Sequence, residues 1–155
     1  MSFSHLNQAG DAHMVDVSAK EVSLRTAIAS GSVRVSKEVI AALRDGSVPK
    51  GDALSVARIA GIQAAKRTSD LIPLAHPIAL HSVSVELEVA DDAVLIKATV
   101  KNADRTGVEM EALTAVSVAA LALIDMVKSM DPAATIVEVK VDEKIGGKSG
   151  HWLRP

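Results

Sequence analysis

The chain contains no cysteine and no tyrosine, and only one phenylalanine and one tryptophan in 155 residues. Without cysteine there is no disulfide framework and no thiolate metal site. Without aromatics there is no stacking platform of the kind single-stranded nucleic acids require. A basic excess is missing too: the formal net charge is −2, whereas phosphate-backbone binders are usually basic. Nucleic acid is therefore not an expected partner. No apolar stretch approaches membrane-spanning length in the linear sequence, and the polar start "MSFSHLNQAGDAH" has no apolar signal region. No membrane association and a cytoplasmic location are the expectation.

What is present is aliphatic. Hydrophobic residues make up 48% of the chain, so the core has to be built from Val, Ile, Leu and Ala. The length suits one domain with one core. Residues 1–12 are expected to form a mobile arm, 13–150 the domain and 151–155 a C-terminal tail. "VSLRTAIASGSVRVS" predicts a strand bent at Gly31. "SKEVIAALRDGS" predicts a helix capped by Ser36 and stopped at Gly46; "GDALSVARIAGIQAAKRT" predicts a second, capped by Asp52, with Gly61 permitting close helix packing. "SDLIPLAHP" is an apolar loop stiffened by two prolines. "HSVSVELEVA" and "AVLIKATVKN", joined by Asp91-Asp92, predict a hairpin. A long helix in "TGVEMEALTAVSVAALALIDMVKSM" and a strand in "TIVEVKVDEK" complete the order. Strands with one apolar face, covered by helices, give an α+β fold with helices on one face of an antiparallel sheet.

The long helix carries a core stripe at Leu113, Val116, Ala120, Leu123, Val127 and Met130. A second line, Glu111, Ala115, Val118, Ala122, Asp125 and Lys128, is apolar between charged ends. Its cover is expected to be another copy of the chain. Thr106 and Glu109 have the spacing of a capping box, which leaves Glu109 without a chemical role. Glu111 and Asp125 lie about 21 Å apart along a helix rising ~1.5 Å per residue. If both are functional, they are expected to serve opposite ends of a long substrate, or sites shared between two subunits.

"KIGGKSGHW" suggests a phosphate loop, but a P-loop needs a glycine where this chain has Asp142 and a helix where the chain ends. His76 sits in the stiffened loop with no second histidine at zinc-ligand spacing. Arg25 is expected on the non-core face of its strand if Leu24 and Thr26 point inward. Lys50, Arg25, Lys66 and Arg67 are cations that could gather around an anion. On spacing alone Asp125 and Lys128, three apart on one side of the helix, read as a surface ion pair.

Four stretches taken together are more specific: "AHMVDVSAK" (12–20), "ARIAGIQAAKRTSDLIPLAHP" (57–77), "TGVEMEALTAVSVAAL" (106–121) and "GGKSG" (146–150). They closely resemble the molybdenum-cofactor biosynthesis protein C family (MoaC), the cyclic pyranopterin monophosphate synthases. The resemblance runs from about Asp11 to Gly150. It implies a ferredoxin-like α+β fold, assembled as a hexamer, a trimer of dimers with sites at the dimer interface. It implies a GTP-derived substrate, 3′,8-cyclo-7,8-dihydro-GTP, converted to cyclic pyranopterin monophosphate and pyrophosphate. Asp125 matches the family's active-site acid, and Lys128 and Lys144 its essential lysines. Leu74, Ala75, His76, Met110 and Glu111 match its substrate-contact segments, with Lys50, Arg25 and Lys66 at further matching positions. Some relatives carry Cys where this chain has Ala75. No resident cofactor or metal is implied; Mg²⁺ travelling with the triphosphate is compatible with these residues. The glycines after Lys144 are expected to act as the hinge of a flap. The alternatives are a non-catalytic ferredoxin-like nucleotide-binding or regulatory module, and a phosphotransferase.

Overall fold

The computed structural model describes residues 5–148 and 150–155. Strand β1 (Ser23–Arg34) leads to helices α1 (Lys37–Asp45), α2 (Ala53–Ala65) and the single turn α3 (Thr68–Leu71). The hairpin β2 (Ser82–Val89) and β3 (Ala93–Asp104) follows, then α4 (Glu109–Val127), β4 (Thr135–Ile145) and β5 (His151–Leu153). The sheet order is β2-β3-β1-β4-β5, and every neighbouring pair is antiparallel. Two βαβ crossovers are thus interleaved, each passing over one strand of the other. This is the ferredoxin-like α+β topology.

Local chemistry sets the element ends. Ser36 caps α1 by accepting from Val39 N–H, and Gly46 ends it at φ 74°, a left-handed conformation that glycine adopts without Cβ strain. Asp52 caps α2 by accepting from Ser55 N–H. On β3, Val94, Ile96, Ala98 and Val100 are buried while Leu95, Lys97 and Lys101 are exposed, the period of two that places one face under the helices.

Helix α4 lies across β1, β3 and β4, and α2 lies against α4 and β2. Small residues permit the close approach. A Cβ on Gly61 of α2 would stand 2.8 Å from the carbonyl oxygen of Ala115, and one on Gly31 of β1 would stand 2.9 Å from a methyl of Val116. Gly31 also sits where the β1–β4 register slips, so the expected bend is a bulge.

Several expectations change. The second apolar line of α4 is covered in part by α2 of the same chain: Ala115 is fully buried, while Val118 and Ala122 are half-buried. Leu121, with Val56 and Ile59 of α2, stays exposed. At 19 residues, α4 is also long and apolar enough to cross a bilayer, contrary to the linear reading, but it is mostly buried in the core. The capping box does not form: α4 starts at Glu109, and Val108 holds the cap position without a side-chain bond. Arg25 is on the helix-covered face, because Ala27, Ala29 and Val33 are the buried positions of β1 and Leu24 is 80% exposed. The segment after the glycines pairs with β4 as β5. Gly146, Gly147 and Gly150, all at positive φ, turn the chain there, and Gly146 N–H donates to Gly150 O at 2.9 Å. Ser149 of that motif, and residues 1–4 of the expected arm, lie outside the described residues.

Candidate active site

The ends of four strands and the start of one helix converge at one end of the sheet. The register pairs Ser23 with Asp104, Thr26 with Ile145 and Ser82 with Lys101. The chain leaves β3 here and begins α4 at Glu109. The first turn of α4 therefore presents its unpaired N–H groups and the positive end of its dipole to this end of the sheet.

Arg25 enters the site from β1. Its Nε donates to Asp104 O at 3.0 Å and its Nη2 to Arg105 O at 3.3 Å. A side chain on Gly147 would collide with this guanidinium, so the glycine loop gives Arg25 its space. Lys144 pairs with Ala27 in register and so shares the helix-covered face. Its Nζ lies 3.2 Å from Glu109 Oε1. Together these residues line a cleft of about 690 Å³ whose cations are Lys20, Arg25, Arg105, Lys144 and Lys148, against the carboxylates Glu21 and Glu109. Its charge balance favours an anion.

A second cavity of about 450 Å³ adjoins it, sharing Lys20, Thr106, Gly107 and Glu109. Leu74, Ala75 and His76 from the proline loop face Met110 and Glu111 across it, with Val15 and Val17 on a further wall. Glu111 is 4% exposed. Burial pushes its carboxyl from 4.5 up to about 7; its own backbone N–H works against this, and the charge of Glu109 adds to it. Glu111 is thereby poised to hold or release a proton near neutral pH. His76 Nε2 lies 2.6 Å from Val15 O.

A separate cluster stands at the other end of α4. Asp125 Oδ1 accepts from Lys128 Nζ at 2.7 Å. Its Oδ2 lies 3.2 Å from Lys50 Nζ, which also donates to Asp125 O at 2.7 Å. Bonds from Lys128 and then Lys50 hold the Asp125 carboxyl below its ordinary value. All three side chains are well exposed, Lys128 at 59%. Lys66 is exposed at the C-cap of α2 and lines neither cavity.

One chain thus gathers Arg25, Lys144, Leu74, Ala75, His76, Met110 and Glu111 at one end of α4. It keeps Lys50, Asp125 and Lys128 at the other. The sequence reading passed over Glu109, Lys20 and Arg105. Glu109 was absorbed by the capping pattern, whose spacing is right but whose hydrogen bond is absent. Lys20 lies inside a motif stretch and carried no separate spacing signal; Arg105 precedes Thr106 with none either.

These features define a class: a ferredoxin-like α+β protein with a cation-rich small-molecule site at the start of its central helix. Comparison with known sequences is narrower. The MoaC family model matches residues 14–147, and the chain belongs to the MoaC family. It is 64% identical over 151 residues to the cyclic pyranopterin monophosphate synthase of Streptomyces avermitilis, covering 97% of this chain and 89% of that protein. It is 61% identical to the protein of that name from Nocardioides sp., covering 98% and 95%. The Pelobacter propionicus protein of the same name is 51% identical, covering 99% and 98%.

Proposed function

We propose that this protein is a cyclic pyranopterin monophosphate synthase in molybdenum cofactor biosynthesis. It converts 3′,8-cyclo-7,8-dihydro-GTP to cyclic pyranopterin monophosphate and pyrophosphate, acting as a lyase in the cytoplasm. The observation that carries this reading is the joined pair of cavities beside the α4 N-terminus. One side is cationic and the other holds a protonatable carboxyl and an imidazole in a partly apolar wall.

The chemistry follows from those groups. Ring rearrangement needs protons moved at defined positions, which Glu111, His76 and Lys144 are placed to do. Closing the cyclic phosphate joins a substrate hydroxyl oxygen to the α-phosphorus and breaks the bond to the departing pyrophosphate. Charge that builds on the leaving group is offset by fixed cations. Glu109 orients Lys144 through their ion pair. Any Mg²⁺ arrives with the triphosphate as part of the substrate.

Asp125, Lys128 and Lys50 complete the site from a second copy of the chain, in a hexamer built as a trimer of dimers. The exposed state of Lys128 and Asp125 in the single chain supports this, since a catalytic lysine and aspartate gain their dry environment only when another surface covers them. Purified protein incubated with 3′,8-cyclo-7,8-dihydro-GTP is expected to release pyrophosphate and form the cyclic pterin. Turnover should fall at least about a hundredfold in Lys144→Ala and Lys128→Ala, the scale of losing a positioned acid–base group. Absence of turnover, or turnover untouched by both substitutions, refutes the assignment.

A further inference from the structure

Residues 13–20 run along the walls of both cavities. Val15, Val17 and Lys20 line the smaller one; Ala19 and Lys20 line the larger. Two side chains of the site hold this strap by its backbone. Arg105 Nε donates to Lys20 O at 2.9 Å, and His76 Nε2 lies 2.6 Å from Val15 O. Between these anchors Asp16 Oδ1 accepts from Ser18 N–H at 2.8 Å, and Lys20 N–H donates to Val17 O at 3.0 Å. The chain therefore turns tightly just after Val15.

The contact at His76 has a chemical consequence. A carbonyl oxygen only accepts, so Nε2 must carry a proton whenever the contact is made. In the neutral ring the lone pair is then on Nδ1. Nothing else in the loop "PLAHP" sets that choice: His76 has no other side-chain bond among the described residues.

We infer that the N-terminal strap is the positioning element for His76, fixing its Nε2–H tautomer through Val15 O so that Nδ1 is the nitrogen that exchanges protons with substrate. This rests on the functional reading above for the role of His76, but the tautomer itself does not. A strap loosened from the cavity would leave the ring without the acceptor that selects its tautomer.

The test leaves His76 in place and loosens the strap. Asp16→Ala removes the cap that turns the chain after Val15; Asp16→Asn keeps an oxygen acceptor at the same place. In the full-length protein, ¹⁵N shifts of His76 are expected to report the Nε2–H tautomer as the dominant neutral form. Asp16→Ala should give mixed tautomers, faster amide exchange over 13–20 and a kcat lower by roughly tenfold, with KM moving less, as expected for a misplaced catalytic group. Asp16→Asn should restore all three. A dominant Nδ1–H tautomer in the unaltered protein overturns the inference. So does an Asp16→Ala protein with a loosened strap whose His76 shifts match the unaltered protein. If the unaltered protein shows no turnover, the functional reading fails, while the shifts and exchange rates still decide the strap.

Discussion

Glu111 is a carboxyl with almost no water around it, and its stability cost depends on pH. Its folded value of about 7 lies above the ordinary 4.5, so the native state keeps a proton that the unfolded chain has given up. The protonated form's contribution is full below about pH 4.5 and is lost as pH rises through about 7. The scale is about 3 kcal/mol. Urea midpoints measured from pH 4 to 8 should fall across that window in the unaltered protein. In Glu111→Gln this part of the slope should vanish; a slope unchanged by the substitution would show that the titration belongs to another group. Asp125 behaves in the opposite sense: its lowered value contributes stability above its ordinary range and loses it on acidification. Its exposure keeps that effect small. The sequence marked both residues by their place on one helix. It held no sign that Glu111 is buried and Asp125 exposed, because burial depends on what other elements bring to each end of the helix.

At the scale of elements, the α2–α4 contact is the most demanding. Gly61 faces a backbone carbonyl at Ala115, not a side chain that can rotate away. Gly61→Ala forces the helices apart, and we expect a loss of about 1–3 kcal/mol, as for other overpacked cores. A chemical denaturation midpoint would record it. An unchanged midpoint would mean that α2 shifts freely on α4. Because α4 carries Glu109 and Glu111 at its start, the same substitution should also reduce turnover. Capped helices such as α1 and α2 were legible in sequence, since Ser36, Gly46 and Asp52 act on their immediate neighbours. The short α3 and β5 were not. The four residues of α3 show no periodicity, and the three of β5 form a strand only because β4 offers an edge.

For the whole molecule, the proposed function requires two clusters at opposite ends of α4 to reach one substrate. If two copies share each site, mixed oligomers should recover what each variant lacks. Glu111→Ala and Asp125→Ala chains, unfolded together and reassembled, are expected to regain about a quarter of normal activity per site, the fraction expected for random pairing of complementary chains in a two-chain site. Fully mixed oligomers with no recovery would place both residues in the same copy's site.

The sequence by itself determined the family, the antiparallel hairpin, the capped helices and the two-ended charge pattern of α4. All of these rest on interactions between near neighbours or on a repeated motif. Tertiary structure alone decided that Arg25 points under the helices, that Glu109 pairs with Lys144 instead of capping, that α2 covers part of α4 and that the strap reaches His76. Each of these joins residues far apart in sequence. Periodicity tells which residues share a face, but which face is covered depends on what another element brings to it.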